Sequence, residues 1–158
     1  MKTLLKPFVL ALFAMSVASC DSDEDTPNNP SDINATELQS MAQEGQWRIT
    51  YFFDTDKEET SDFNGYVFTF GADGVVLASN GTTEITGTWS VTDSDDDPFD
   101  DSPDDSDDVD FNLFFSAPAE FAELTDDWDI IEYSANRIKL IDVSGGNGGT
   151  DYLTFEKN

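Results

Sequence analysis

The chain has 158 residues, 34 acidic and 7 basic, with no histidine, one cysteine and a formal net charge of −27 at pH 7. That length holds one ordinary domain, and that charge excludes nucleic acid and anionic lipid headgroups as partners, because phosphates would be repelled rather than neutralised. A single cysteine excludes an internal disulfide, the lack of histidine removes the commonest general base and metal ligand, and an aromatic share of 13% is too high for a disordered chain.

Lys2 and Lys6 open the chain with positive charge, and an apolar run from Phe8 to Met15 follows. The run is far shorter than the ~20 residues a membrane-spanning helix needs, so residues 1–19 read as a signal peptide. Val17-Ala18-Ser19-Cys20 resembles the lipobox of bacterial lipoproteins: an aliphatic residue, two small ones, then the cysteine that receives the lipid. The resemblance implies acylation of Cys20, and with about 0.8 kcal/mol per buried CH₂ two or three acyl chains hold a protein at a membrane. Asp21-Ser22-Asp23-Glu24-Asp25 looks like the acidic surface-export signal of Bacteroidetes lipoproteins, which implies an outer-membrane, cell-surface location. Pro27 and Pro30, with no apolar partners, make the remainder of residues 20–33 an extended linker.

Asn34 is placed to cap a helix over 35–44, with Glu37 at its third position and Leu38, Met41 and Ala42 on one face. Beyond Gly45 the apolar period falls to two, the signature of strands. Eight are predicted, at 47–53, 66–70, 75–79, 84–92, 109–115, 128–133, 137–143 and 152–156. Asp73-Gly74 and Asn80-Gly81 flank the third as hairpin signals, and Pro118 starts a helical turn at 118–125. Mostly short connections make neighbours in sequence pair, and eight meandering strands lose their exposed edges by closing. The expected domain is therefore an all-β antiparallel barrel with a short N-terminal helix, spanning residues 34–158.

Gly45-Gln46-Trp47, where the helix enters the first strand, resembles the G-x-W signature of lipocalins. The stretch from Leu124 through Asp127-Trp128 to Ser144-Gly145-Gly146, with the closing Tyr152-Leu153-Thr154-Phe155, is similar to the small lipocalin-like lipoproteins of Bacteroidetes. Lipocalins usually pack an arginine of the last strand on that tryptophan, and here the matching region offers only Lys157. The resemblance implies a small hydrophobic ligand held in the barrel, and the inward positions of the alternating strands make Trp47, Tyr51, Phe68, Trp89, Phe111 and Trp128 its expected lining. An eight-stranded interior is also narrow enough for those same rings, with Phe53, Phe70 and Phe115, to fill it completely.

Residues 93–110 hold 11 aspartates in 18 positions and no basic residue, which predicts a solvated loop between two strands. Carboxylates at this density suit calcium, which takes six to eight oxygen ligands. Asp93, Asp95, Asp97, Asp101 and Asp104 fall at five of the ligand places of an EF-hand loop, but Pro98 stands where its turn needs glycine, so any calcium site here is of another kind. Catalysis is not expected. Histidine-based triads are excluded, and the glycine-rich run 144–149 leads into a strand without a lysine, unlike a phosphate cradle. Two functions therefore stand side by side: a container for a small hydrophobic ligand, and a packed barrel that contacts a protein or glycan partner, with calcium assisting.

Overall fold

The computed structural model describes residues 33–93, 109–143 and 149–158. Helix α1 (Ala35–Gln43) begins where expected, because the Asn34 side-chain oxygen accepts the Glu37 N–H at 3.0 Å and so occupies a donor left over in the first turn. Gly45 then turns the chain at φ +92°, a conformation that favours glycine, and delivers Trp47 to the first strand.

The strands are β1 (Trp47–Asp54), β2 (Lys57–Glu58), β3 (Val67–Phe70), β4 (Val75–Ser79), β5 (Glu84–Asp93), β6 (Val109–Phe114), β7 (Asp126–Ser134), β8 (Arg137–Val143) and β9 (Thr150–Lys157). A 3₁₀ turn (Thr60–Phe63) and a short helix, α2 (Ala119–Ala122), interrupt them. Each strand from β3 to β9 pairs antiparallel with the next, and β9 returns to β1 over six residue pairs from Trp47↔Lys157 to Phe53↔Tyr152. The result is a closed barrel of eight strands, β1 and β3–β9, as the alternation predicts. The extra strand β2 is two polar residues that fold back on Phe53 and Asp54, too short to register as a period. Closure is thinnest between β1 and β3, which share one register pair, Trp47↔Phe68.

The inside–outside pattern departs from the expected one in β1. Trp47 and Ile49 point inward as expected, but Ile49 pairs with Phe155 and Tyr51 with the adjacent Thr154, so Thr50 is an extra residue in the ladder. One inserted residue reverses every side chain after it. Tyr51, expected in the interior, is 42% exposed, and Phe52, which unbroken alternation would turn outward, is fully buried. Phe53, also expected inside, is only half-buried. A second irregularity, between Ile130 and Glu132 of β7, lets Ile130 and Tyr133 both face the core although they are three residues apart.

Strand direction assigns the connections to two ends. The start of β1, the end of β5, the start of β6 and the β7–β8 turn share one end, and α1 lies there against β3 and β5. Leu38 and Ala42 are fully buried in that contact, and the Tyr133 hydroxyl links the helix to β7 by accepting the Asn34 N–H and donating to Glu37 Oε2, each at 3.2 Å. The opposite end carries the β1–β2 hairpin and the β6–β7 segment, with Phe63, Phe121 and Leu124 buried beneath them.

Candidate functional site

Five of the six residues expected to line a ligand cavity, Trp47, Phe68, Trp89, Phe111 and Trp128, are indeed inside, each no more than 5% exposed. All of them but Trp47 are packed against other rings. Trp89 lies 5.0 Å from Phe70 and 5.7 Å from Phe111, centroid to centroid, and Phe70 is 5.5 Å from Phe155. Phe155 is 5.4 Å from Phe68, Phe68 is 6.0 Å from Phe121, and Phe121 is 5.3 Å from Phe63. Phe63 contacts Phe52 at 5.5 Å, and Phe52 reaches Trp128 at 6.5 Å. Most of these pairs are edge-to-face or tilted, the arrangements that aromatic quadrupoles favour. Every link of the chain is a ring-to-ring contact.

The polar edges of the tryptophans are occupied as well. Trp47 Nε1–H donates to the Ala42 carbonyl at 2.8 Å, Trp89 Nε1–H to Gly71 at 2.9 Å and Trp128 Nε1–H to Leu124 at 3.1 Å. Among the described residues no buried side-chain nitrogen or oxygen lacks a hydrogen-bond partner. Ligand pockets usually present a few unoccupied polar groups to orient their guest. None faces this interior from the described residues.

Of the expected calcium ligands, Asp93 is the last residue of β5, half-buried and paired with Val109. Asp95, Asp97, Asp101 and Asp104 lie outside the described residues. Carboxylates gather instead at the other end of the barrel. Asp126, Asp142 and Asp151, from β7, β8 and β9, bring one oxygen each to within 4.8 Å of one another, and Asp54, Glu59 and Glu123 form a similar group. Asp151 Oδ1 also accepts the Thr55 N–H at 2.6 Å, and the Lys57 ammonium bonds Glu59. Burial pushes the Asp126 carboxyl up to about 6, helped by its hydrogen bond with the Asp127 side chain and by the negative charge of Asp142. Oxygen-only donors are the chemistry of hard cations, but three carboxylates fall short of the six to eight oxygens that calcium takes.

A third feature is on the outer surface. A groove of about 630 Å³ runs over β5, β6 and β7, lined by Thr88, Ser90, Asn112, Phe114, Asp126 and Asp127 among others. Phe114 pairs with Thr88 and Asn112 with Asp127, so these side chains project from one sheet surface. Phe114 is 54% exposed.

Among the described residues the basic ones are all elsewhere. No lysine or arginine occurs between Lys57 and Arg137. Those on β1 and β8 are engaged in ion pairs: Arg48 with Glu156 at 3.8 Å, Arg137 with Glu156 at 3.0 Å and Glu132 at 3.6 Å, and Lys139 with Glu132 at 2.9 Å. The Lys139 hydrogen bond holds the Glu132 carboxyl below its ordinary range against the opposing effect of burial. One wall of the barrel is thus internally compensated, and the wall from β3 to β6 carries no cation. That asymmetry was open to sequence reading as a long stretch without a base. The carboxylate groups were not, since their members are far apart in the chain and meet only through barrel closure.

No protein-family model matches the chain, and no curated protein does. A solved structure, the crystal structure of a DUF4847 family protein from Bacteroides vulgatus ATCC 8482, is similar at 18% identity and a TM-score of 0.46, over 77% of this chain and 97% of that one.

Proposed function

We propose that this chain is a lipid-anchored, non-catalytic interaction module, acylated at Cys20 and carried at the outer-membrane surface on the 20–33 linker. Its barrel is a solid scaffold that holds an outer wall and two rims toward a partner. The observation that carries this reading is the unbroken series of ring contacts from Trp89 to Trp128, which uses the volume a hydrophobic guest would need. The lipocalin-like barrel is retained in this reading, and its usual role as a container is not.

Native mass spectrometry of the protein taken from its host's membranes tests the scaffold. A bare acylated polypeptide that also leaves apolar fluorescent probes unbound supports it. A discrete extra mass removed by organic solvent overturns it in favour of a carried hydrophobic ligand. The anchor is tested separately: fatty-acid label that enters the parent but not Cys20→Ser supports it, as does cleavage of the protein by protease added to intact cells. Equal labelling of both chains removes the anchor from the reading.

A further inference from the structure

We infer that the outer face of β1, β9, β8 and β7 is where a second copy of this chain docks, face to face about a two-fold axis. This names one partner of the interaction module and so rests on that reading. Three observations lead to it.

The first is apolar surface. Among the described residues four large apolar side chains are exposed, Tyr51, Phe114, Val143 and Tyr152, and all but Phe114 lie on this face. Register joins them. Tyr152 of β9 sits opposite Phe53 of β1 on one side, with ring centroids 6.5 Å apart, and opposite the half-buried Ile141 of β8 on the other. Tyr51 and Val143 extend this row along β1 and β8, next to Phe53 and Ile141 on the same side of each strand. The strip is continuous across three strands, and contiguous apolar surface of this kind marks a contact site. Tyrosine, phenylalanine and arginine are also the side chains that protein interfaces favour.

The second is charge. Arg48, Arg137 and Lys139 border the strip and are tied to Glu132 and Glu156 by ion pairs, and Asp129 lies opposite Ile141. The face thus balances its positive and negative groups, on a chain whose net charge is −27. Two copies repel each other through their other walls and not through this one. A basic partner is drawn to the wall that lacks cations, and an acidic one finds the cations here already paired. A balance of both signs is instead what a self-complementary face needs, because a two-fold contact sets the same surface against itself.

The third is size and placement. Four adjacent strands about 4.8 Å apart, rising about 3.4 Å per residue, give a face of roughly 20 by 25 Å. That approaches the ~600 Å² per partner at the low end of specific interfaces, and the curvature of the barrel trims it, so pairing in solution is weak. Its cationic edge, at the start of β1, lies at the end of the barrel where α1 leads the chain in. A two-fold axis along the barrel leaves both entry points on the same side. Two copies anchored in one membrane therefore meet in the right orientation and at a raised effective concentration.

Sedimentation equilibrium of the full-length protein in density-matched detergent reads the association, with micelles in excess so that anchors do not share one. The protein should show a monomer–dimer equilibrium, and added salt should strengthen the dimer by screening the repulsion between two chains of like charge. Tyr152→Ser should raise the dissociation constant about tenfold, since a two-fold contact loses the side chain twice. Tyr51→Glu, which sets a new negative charge into both faces, should abolish pairing. Phe114→Ser, the same kind of change on another wall, should pair as the parent does. All three side chains are exposed, so unchanged melting temperatures confirm that the variants are folded. A monomer's mass up to millimolar protein overturns the proposal. Equal weakening in Phe114→Ser would mean indiscriminate adhesion of exposed rings and overturns it too. A dimer that salt dissolves assigns the contact to acidic segments of one copy on the cations of the other, and likewise overturns the two-fold face. None of these results bears on whether the interior is filled, which the mass measurement decides independently.

Discussion

Lys157 holds its ammonium 5.4 Å from the centre of the Trp47 ring, while the indole N–H of Trp47 donates to the Ala42 carbonyl at 2.8 Å. One tryptophan thereby joins the last strand, the first strand and the helix before it. Replacing Trp47 with phenylalanine should cost about 1–3 kcal/mol, from a lost buried hydrogen bond and unfilled volume. Lys157→Gln should cost about 0.5–2 kcal/mol, the worth of a half-buried ammonium over a buried ring. Urea unfolding of both variants and of the double variant checks the pair, and their effects should fall short of additive.

The inserted residue in β1 makes a prediction that the plain alternation would reverse. Phe52→Ala should destabilise by about 3–5 kcal/mol, as for a large buried ring, and Tyr51→Ser by about 0.5 kcal/mol or less. Denaturant midpoints at equal slope would establish the order. The opposite order would place the register shift elsewhere in the strand.

Gly87 faces the core, and a Cβ built there would lie 2.4 Å from the Phe114 carbonyl oxygen and 2.7 Å from the Phe115 ring. Gly87→Ala therefore forces backbone apart beside Thr88↔Phe114, the terminal pair of the β5–β6 ladder. A loss of about 1–3 kcal/mol is expected, typical of overpacking, although glycine-to-alanine in an open strand would stabilise. Thermal melting distinguishes the two signs.

Asp126 gives stability a particular pH dependence. Its carboxyl titrates at about 6 in the folded chain against an ordinary 3.8, so the folded state holds a proton that the unfolded state has released between those values. Stability from this group is present at low pH and is lost as pH rises through about 6. Asp126→Asn, a permanent mimic of the protonated form, should match the parent below about pH 4 and be the more stable of the two at pH 7. Glu132 acts in the other direction: its lowered value contributes stability above the ordinary carboxylate range that is lost as pH falls. Melting curves of Asp126→Asn and the parent across pH 3.5 to 7.5 separate the two, because Glu132 is common to both chains.

The barrel was legible because its strands are half-buried and closed, which forces the period of two along Trp47–Ile49, Phe68–Phe70, Ile85–Trp89 and Phe111–Phe115. The helix was legible from one cap, Asn34, and one apolar face. Tyr51 and Phe52 were placed on the wrong sides because a bulge has no composition of its own: Thr50 is an ordinary strand residue, and only the partner strand shows that it is surplus. The groove was hidden for a related reason. Phe114 reads as an exposed ring in any alternating strand, and its neighbours Thr88 and Asp127 join it only through the register of three strands. Whether inward rings enclose a space or exclude one depends on their contacts, which the alternation alone does not contain.

The Tyr133 hydroxyl, held between the Asn34 amide and Glu37, also has a mechanical meaning. Any pull on the segment before Asn34 reaches this hydroxyl and the buried Leu38 and Ala42 before it reaches a strand. Further on, Trp47 and the residues after it are zipped to β9 from end to end, so the load is shared along the ladder rather than opening it pair by pair. Force arriving from the N-terminal side would therefore peel the helix first and leave the barrel whole, a sacrificial link built into the place where the chain enters its fold.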